Sequence, residues 1–347
     1  MSEYRYAIFN GQRQVDIRTA PIPTAEPNGV VVKITYCGIC GSDTSTWKDP
    51  QEGYESTFGH EWTGTIHEVG EGVEDFAVGD RVSSSVGPAC GTCELCISGH
   101  PNFCQTALLD GYCANDFTKI HGGYAEYLSV PTRRVQHVPE GVTDIQAGLV
   151  EPCSVSFHGV SRAPFALGSV VVVQGAGPIG LFGAEHARNA GAGHLLIIEP
   201  NESRRQLARD LGFTEVFAPG EEFHSRLNEL TRGIGADVVF EATGVPQLVQ
   251  GAAEMTRRGG TLGLLGFSFI ETPINYADWQ TRELEVKSSI LYSHADIRTV
   301  MEYMAAGKVQ PEKYHSGTIG LDELQATLED LASGESAHVK VLVDPTK

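Results

Sequence analysis

The chain has 347 residues, a length that suits about two domains and buries enough surface to fold without disulfide staples. Its 44 acidic residues outnumber 25 basic ones, for a net charge of −19 with neutral histidine. That excess excludes a nucleic-acid partner and an anionic membrane surface, since both are bound by concentrated Lys and Arg. No apolar run approaches the roughly 18 residues of a membrane span, and the opening Met-Ser-Glu-Tyr-Arg lacks the apolar core of a signal peptide. These features predict a soluble, cytoplasmic protein.

In chain order, short β-rich runs come first: Val30–Ile34, Gly64–Val69, Asp80–Ser84 and Tyr124–Leu128. Gly and Pro divide them, which predicts a small barrel or sandwich up to residue 152. Within this stretch lie seven of the eight cysteines, and Cys90, Cys93, Cys96 and Cys104 fall inside fifteen residues. Spacings of three, three and eight let one loop wrap a tetrahedral ion at ~2.3 Å from each thiolate. Four thiolates fill every position, so this zinc would be structural and closed to substrate. His100 lies inside the loop, and with four cysteines available it is expected to be exposed.

From about residue 160 the rhythm changes. Strand-like Val170–Val173, Leu195–Ile198, Val238–Phe240 and Leu262–Leu265 alternate with helical Leu181–Ala190 and Arg204–Leu211. Apolar strands separated by amphipathic helices predict a doubly wound parallel sheet. Helices over Asp296–Ala306 and Asp322–Leu331 and a strand over Val339–Val343 close the chain.

At the first turn of the sheet stands Gly175-Ala-Gly177-Pro178-Ile179-Gly180. The first Gly permits the tight turn, the second lets backbone approach a pyrophosphate, and the third lets helix pack on strand. Glu199 follows at the end of the next strand, where a carboxylate accepts from both ribose hydroxyls and repels a 2′-phosphate, favouring NAD over NADP. Arg204 and Arg205 leave room for NADP, although a helix cap at Asn201 accounts for them equally well as solvated surface.

A second metal constellation combines Cys40, in Cys37-Gly-Ile-Cys40-Gly-Ser42-Asp43, with His60 and Glu61, and with Glu151 ahead of Pro152 and Cys153. A thiolate, an imidazole and a carboxylate suit a catalytic zinc that keeps one position open. Spacings of 20 and 91 residues do not by themselves establish convergence. Taken singly, Cys40 also suits a buried core thiol and Glu151 a surface carboxylate.

These residues resemble the zinc-dependent medium-chain dehydrogenase/reductases, especially the sorbitol (polyol) dehydrogenase branch. The matching marks are Gly38-Ile-Cys40-Gly-Ser-Asp43, Gly59-His-Glu61, Gly70-Glu-Gly-Val73, Val78-Gly-Asp-Arg-Val82, the four-Cys loop, Gly122-Gly-Tyr-Ala-Glu126, Glu151-Pro152 and the Gly-rich turn. Weaker agreement continues through Asp237–Gly244 to Val339–Val343, so the likeness spans nearly the whole chain. The resemblance implies an α/β protein: a GroES-like catalytic domain over 1–152, completed by 290–347, and a Rossmann domain over 153–289. It implies a catalytic zinc on Cys40, His60 and Glu151, with Glu61 as an exchanging ligand or a link to bound water. It further implies that Asp43 orients the zinc-bound imidazole and that Ser42 begins a proton relay. The cofactor contacts it implies are Gly175, Gly177, Pro178, Ile179, Gly180, Glu199, Arg204 and Thr243.

The expected reaction is hydride transfer between a secondary alcohol and NAD, the alcohol held as an alkoxide on zinc, in a homodimer or homotetramer. One departure stands out: many relatives carry His five residues after the first zinc Cys, and here that residue is Ser45. Threonine, butanediol and aminocyclitol dehydrogenases share much of the frame and stay open as alternatives. So do a zinc-free reductase and a non-catalytic binding module on the same fold. Trp47, Tyr54, Tyr112, Cys113, Asn115, Phe267 and Phe269 are weaker candidates for the substrate pocket, and the aromatic ones serve equally well as local core.

Overall fold

The computed structural model describes residues 2–49, 55–86, 89–100, 103–105, 122–164, 166–268, 270–334, 336 and 338–347. The first strands, β1 (Glu3–Phe9) and β2 (Val15–Pro21), pair antiparallel as a two-stranded ladder. β3 (Gly29–Gly38) follows, and its β-branched run Val30, Val31, Val32 and Ile34 is buried. It pairs antiparallel with both β4 (Glu61–Val69) and β6 (Tyr127–Pro131). β4 continues to β5 (Arg81–Ser84), and β5 to β7 (Val135–His137).

The strand expected from Tyr124 starts only at Tyr127. The Tyr124 amide donates to the Phe58 carbonyl and its own carbonyl accepts from Ala7, so its backbone groups are engaged away from the ladder. Patterning also misses the helix Gly41–Lys48, which opens on Gly-Ser-Asp-Thr-Ser-Thr and has no apolar periodicity.

The middle of the chain forms a six-stranded sheet. Its strands are β8 (Val170–Gln174), β9 (His194–Ile198), β10 (Glu215–Phe217), β11 (Ala236–Glu241), β12 (Thr256–Leu264) and β13 (Glu285–Ser288). All pairs are parallel, in the order β10-β9-β8-β11-β12-β13. The order reverses between β8 and β11, and the carboxyl ends of strands at such a switch point are where doubly wound sheets bind nucleotides. Val170, Val172, Leu196 and Val239 on the sheet bury against Phe223 and Leu227 of the helix Glu221–Thr231 and against Ala252 and Ala253 of Pro246–Met255.

The last segment returns to the first sheet through β14 (His315–Ile319) and β15 (Lys340–Val343). β15 runs antiparallel to β3, with Leu342 opposite Gly38, and gives the order β14-β15-β3-β4-β5-β7. The expected helix at Asp322 opens with a short 3-10 turn, Leu321–Glu323, before the α-helix Leu324–Ala332. The chain thus divides into two compact units, Met1–Glu151 with Ser293–Lys347, and Pro152–Tyr292.

Candidate active site

In the first unit, the end of β3 and the helix after it supply one side of a buried polar cluster. Cys40 is the N-cap of the helix Gly41–Lys48, and Asp43, one turn in, accepts the Cys40 amide at 3.1 Å. Ser42 lies in the same turn and is half-buried. The ladder sets Glu61, at the start of β4, opposite Gly38, which brings residues 60 and 61 beside the turn that carries Cys40. One donor atom from each of Cys40, His60 and Glu61 lies within 4.8 Å of the other two. Glu151, in the first turn of the helix Val150–Ser161, is 4% exposed and is not in that group, although its charge acts on His60. Cys153, two residues on, sits instead with its Sγ 3.4 Å from His186 Nε2.

The electrostatics of the cluster point to a cation. Burial opposes protonation of His60, yet the negative charges of Cys40, Asp43 and Glu151 outweigh it and hold the imidazole pKa well above its ordinary value. A half-buried imidazole whose pKa is pushed up by three neighbouring negative groups marks a local surplus of negative charge. A divalent ion removes that surplus, and thiolate, imidazole and carboxylate are the donors zinc takes. Asp43 stands behind the imidazole: its Oδ1 lies 3.7 Å from His60 Nδ1, and its Oδ2 accepts the Tyr124 hydroxyl at 2.7 Å. Burial raises the Asp43 pKa, against the opposing pull of His60 and these donors.

Lys340 is a site residue that patterning missed. Its Nζ donates to the Glu61 carboxylate and, at 3.0 Å, to the Ile39 carbonyl. Both ends of the ion pair are buried, Lys340 at 3% and Glu61 at 1% exposure. The signal was available: Lys340 interrupts the apolar run Val339–Val343, and a lysine there needs a partner.

The four-cysteine loop closes on itself as its spacing predicts, with one sulfur from each of Cys90, Cys93, Cys96 and Cys104 within 4.8 Å of the others. Sulfur pairs stand at 3.5 Å (Cys93 and Cys96), 3.9 Å (Cys93 and Cys104) and 3.9 Å (Cys90 and Cys96). A tetrahedral ion ~2.3 Å from each sulfur needs edges of about 3.8 Å. The amides of Cys93 and Thr92 point at Cys90 Sγ, and the Cys90 amide at Cys104 Sγ, which supports thiolate charge. His100 is exposed.

In the second unit, Gly175, Gly177 and Gly180 form the turn between β8 and the helix Pro178–Asn189. A Cβ on Gly180 would stand 1.9 Å from the Gly175 carbonyl, so helix and turn meet only through glycine. A Cβ on Gly177 would meet nothing within 4 Å, and that open face is the cradle a pyrophosphate would occupy. Glu199 is built into the same turn: its carboxylate accepts from the amides of Ala176 at 2.8 Å and Asn201 at 2.9 Å. Thr243 packs against Gly175, and its amide and hydroxyl donate to Glu241. Arg204 receives the Asn201 cap on its backbone amide, while Arg205 turns to the Glu199 and Pro200 carbonyls and to Glu202. Of the weaker pocket candidates, Trp47 belongs to the core and Phe267 is exposed, while Tyr54, Tyr112, Cys113, Asn115 and Phe269 lie outside the described residues.

The alcohol dehydrogenase GroES-like domain matches residues 26–140, and the zinc-binding dehydrogenase domain matches residues 178–306. Among curated proteins, the chain is similar to 2-dehydro-3-deoxy-L-galactonate 5-dehydrogenase of Pseudoalteromonas atlantica, at 31% identity over 97% of this chain and 98% of the relative. It is similar to D-xylulose reductase A of Aspergillus oryzae (30%, covering 97% and 95%) and to sorbitol dehydrogenase of Bacillus subtilis (29%, covering 98% and 97%). Among solved structures, an Escherichia coli alcohol dehydrogenase in complex with NADH superposes with a TM-score of 0.89 at 26% identity, covering 99% of this chain and 100% of that one. A Sinorhizobium meliloti protein bound to NADP superposes at 0.87 with 29% identity, covering 99% and 100%.

Donor sets suited to zinc and a doubly wound nucleotide fold define the class, a zinc- and nicotinamide-dependent oxidoreductase. The chain belongs to the zinc-dependent medium-chain dehydrogenase/reductase family, in its alcohol and polyol dehydrogenase branch. It is therefore an enzyme, and its substrates are small molecules.

Proposed function

We propose that this enzyme oxidises a secondary alcohol on a polyol, sugar or cyclitol, or reduces the matching ketone, with NAD as hydride carrier. The reading includes two zinc ions per chain, one catalytic and one structural. The observation that carries it is the convergence of half-buried Cys40 and His60 on buried Glu61, with Asp43 behind the imidazole and the charge of Glu151 acting on it. Cys40, His60 and Glu151 would hold the catalytic ion, with Glu61 drawn back by Lys340. Cys90, Cys93, Cys96 and Cys104 would hold the structural one. When bound, the catalytic zinc supplies Lewis acidity at the substrate oxygen and the nicotinamide carries the hydride.

The chain's own groups do the rest. Ser42 Oγ takes the proton leaving the substrate hydroxyl and hands it outward. Position 45 is serine here, so the onward path runs through water or through the Glu61 carboxylate. Asp43, 3.7 Å from His60 Nδ1, would keep the ring oriented for His60 to hold the ion. The free lone pairs of Glu199 accept from the ribose hydroxyls and repel a 2′-phosphate, which favours NAD. The names of the relatives, built on sorbitol, D-xylulose and a deoxygalactonate, support a polyhydroxylated substrate. None of the seven described cysteines is in a disulfide, which supports a reducing, cytoplasmic setting. The assembly in this reading is a homodimer or homotetramer.

The test is NADH formation against sorbitol, xylitol, inositols, aminocyclitols, threonine and butanediol, with Cys40→Ser as the blank and zinc counted per chain. Turnover on a polyol or cyclitol, lost in Cys40→Ser, with two zincs bound, is the expected result. Equal turnover in Cys40→Ser would overturn it.

A further inference from the structure

Asp43 can orient His60 only if something holds Asp43, and the contacts of its two oxygens differ. Oδ1 faces His60 Nδ1 at 3.7 Å, an ion-pair distance and not a hydrogen bond. Oδ2 takes two donors, the Cys40 amide at 3.1 Å and the Tyr124 hydroxyl at 2.7 Å. The carboxylate is thus pinned at the oxygen away from the imidazole, and the shorter of the two pins comes from a residue 81 positions along the chain.

Tyr124 is itself fixed from several sides. The Gly123 amide donates to the Gly59 carbonyl at 2.7 Å, and the Tyr124 amide to the Phe58 carbonyl at 3.3 Å, so residues 122–124 lie against the stretch that leads into His60. The approach is too close for a side chain at Gly122, whose Cβ would fall 1.9 Å from the Phe58 carbonyl oxygen. The Tyr124 carbonyl accepts from Ala7, and its ring stacks on Phe9 with centroids 6.4 Å apart. Tyr124 is 1% exposed. Burial, followed by the charge of Asp43, raises the phenol pKa well above its ordinary value, so the hydroxyl stays a donor.

We infer that Tyr124 is a positioning residue of the metal centre: its backbone grips the stretch that leads into His60, and its hydroxyl locks the carboxylate that aims the imidazole. The inference rests on the reading that Cys40 and His60 hold a catalytic ion, and it adds a third shell that the ligand motif does not contain. A phenylalanine at this position keeps the ring and the backbone grip and removes only the hydroxyl, with its 2.7 Å bond to Asp43 and its longer 3.3 Å contact with the Gly38 carbonyl.

The experiment is zinc release from the intact enzyme to a chromophoric chelator, comparing wild type, Tyr124→Phe, Asp43→Asn and the double variant. Wild type is expected to release two ions per chain in two phases. Tyr124→Phe should speed one phase roughly 10–100-fold, the range for loss of an outer-shell partner, and leave the four-cysteine phase unchanged. Asp43→Asn should speed the same phase, and adding Tyr124→Phe to it should change the rate little, because the hydroxyl acts through that carboxylate. The cobalt-substituted Tyr124→Phe enzyme should show a shifted ligand-field spectrum at the catalytic ion.

Two ions released by wild type, with both phases unmoved in Tyr124→Phe, would overturn the positioning role and leave the zinc reading standing. Additive effects of the two substitutions would also overturn it. Wild-type enzyme that holds zinc in the four-cysteine loop alone would overturn the zinc reading and this inference with it.

Discussion

At the scale of single residues, the least expendable charge outside the ligand set is Lys340. Its ammonium is buried against Glu61, and removing one partner of a buried pair leaves the other uncompensated, a cost of about 3–5 kcal/mol. Lys340→Met should therefore lower the free energy of unfolding by that amount, read from denaturant titrations, while Lys340→Arg keeps most of the stability. A Lys340→Met protein as stable as wild type would mean that Glu61 finds another partner or takes up a proton. In the proposed function, cofactor choice turns on Glu199. Glu199→Ser removes a charged acceptor worth roughly 1.5–3 kcal/mol, so the ratio of NADP to NAD kcat/KM should rise about 10–100-fold. An unchanged ratio would remove Glu199 from the ribose site.

At the scale of elements, the helices Val150–Ser161 and Pro178–Asn189 meet through polar groups that the catalytic reading does not use. Ser156 donates to the Ile179 carbonyl at 2.9 Å, and His186 lies against Cys153. Burial lowers the His186 pKa to about 4. Between its ordinary value near 6.5 and pH 4 the unfolded chain binds the extra proton, so folded stability should fall as the pH is lowered through that window, by up to about 3 kcal/mol. Urea titrations from pH 7 to pH 4 should show this slope, and His186→Gln should flatten it. Gly180→Ala tests the next junction, where a methyl group would push on the Gly175 carbonyl; cofactor affinity should drop by at least tenfold, read by NADH fluorescence titration, with the zinc content intact.

The strands and the glycine turn were legible in advance because Val170–Val173 and Gly175–Gly180 obey local rules of period and turn geometry. The four-cysteine loop was legible for the same reason, since its ligands lie within one short stretch. The helix Gly41–Lys48 was not, because its stability comes from tertiary placement and not from an apolar stripe. The pairs Lys340–Glu61 and Tyr124–Asp43 join residues 279 and 81 positions apart, a separation that no local pattern encodes.

At the scale of the whole molecule, the net charge of −19 makes self-repulsion a global destabilising force. Raising salt from 0.01 M to 1 M shortens the screening length from ~30 Å to ~3 Å, so the melting temperature should climb across that range. A flat response would mean that the acidic groups are already paired or spaced well enough to cancel. The first unit is assembled from both ends of the chain, with β15 laid against β3 and residues 152–292 forming a unit of their own between them. A ribosome therefore delivers the parts of the centre in an awkward order. Cys40, Asp43, His60 and Glu61 emerge early, the nucleotide sheet is complete next, and the only described lysine paired with Glu61 arrives 279 residues after it. Until then the nascent chain has a carboxylate destined for the interior and no ammonium to accompany it. Closure of the catalytic unit thereby waits for residue 340, and a chain that stops short of it has a nucleotide-binding fold without a finished catalytic one.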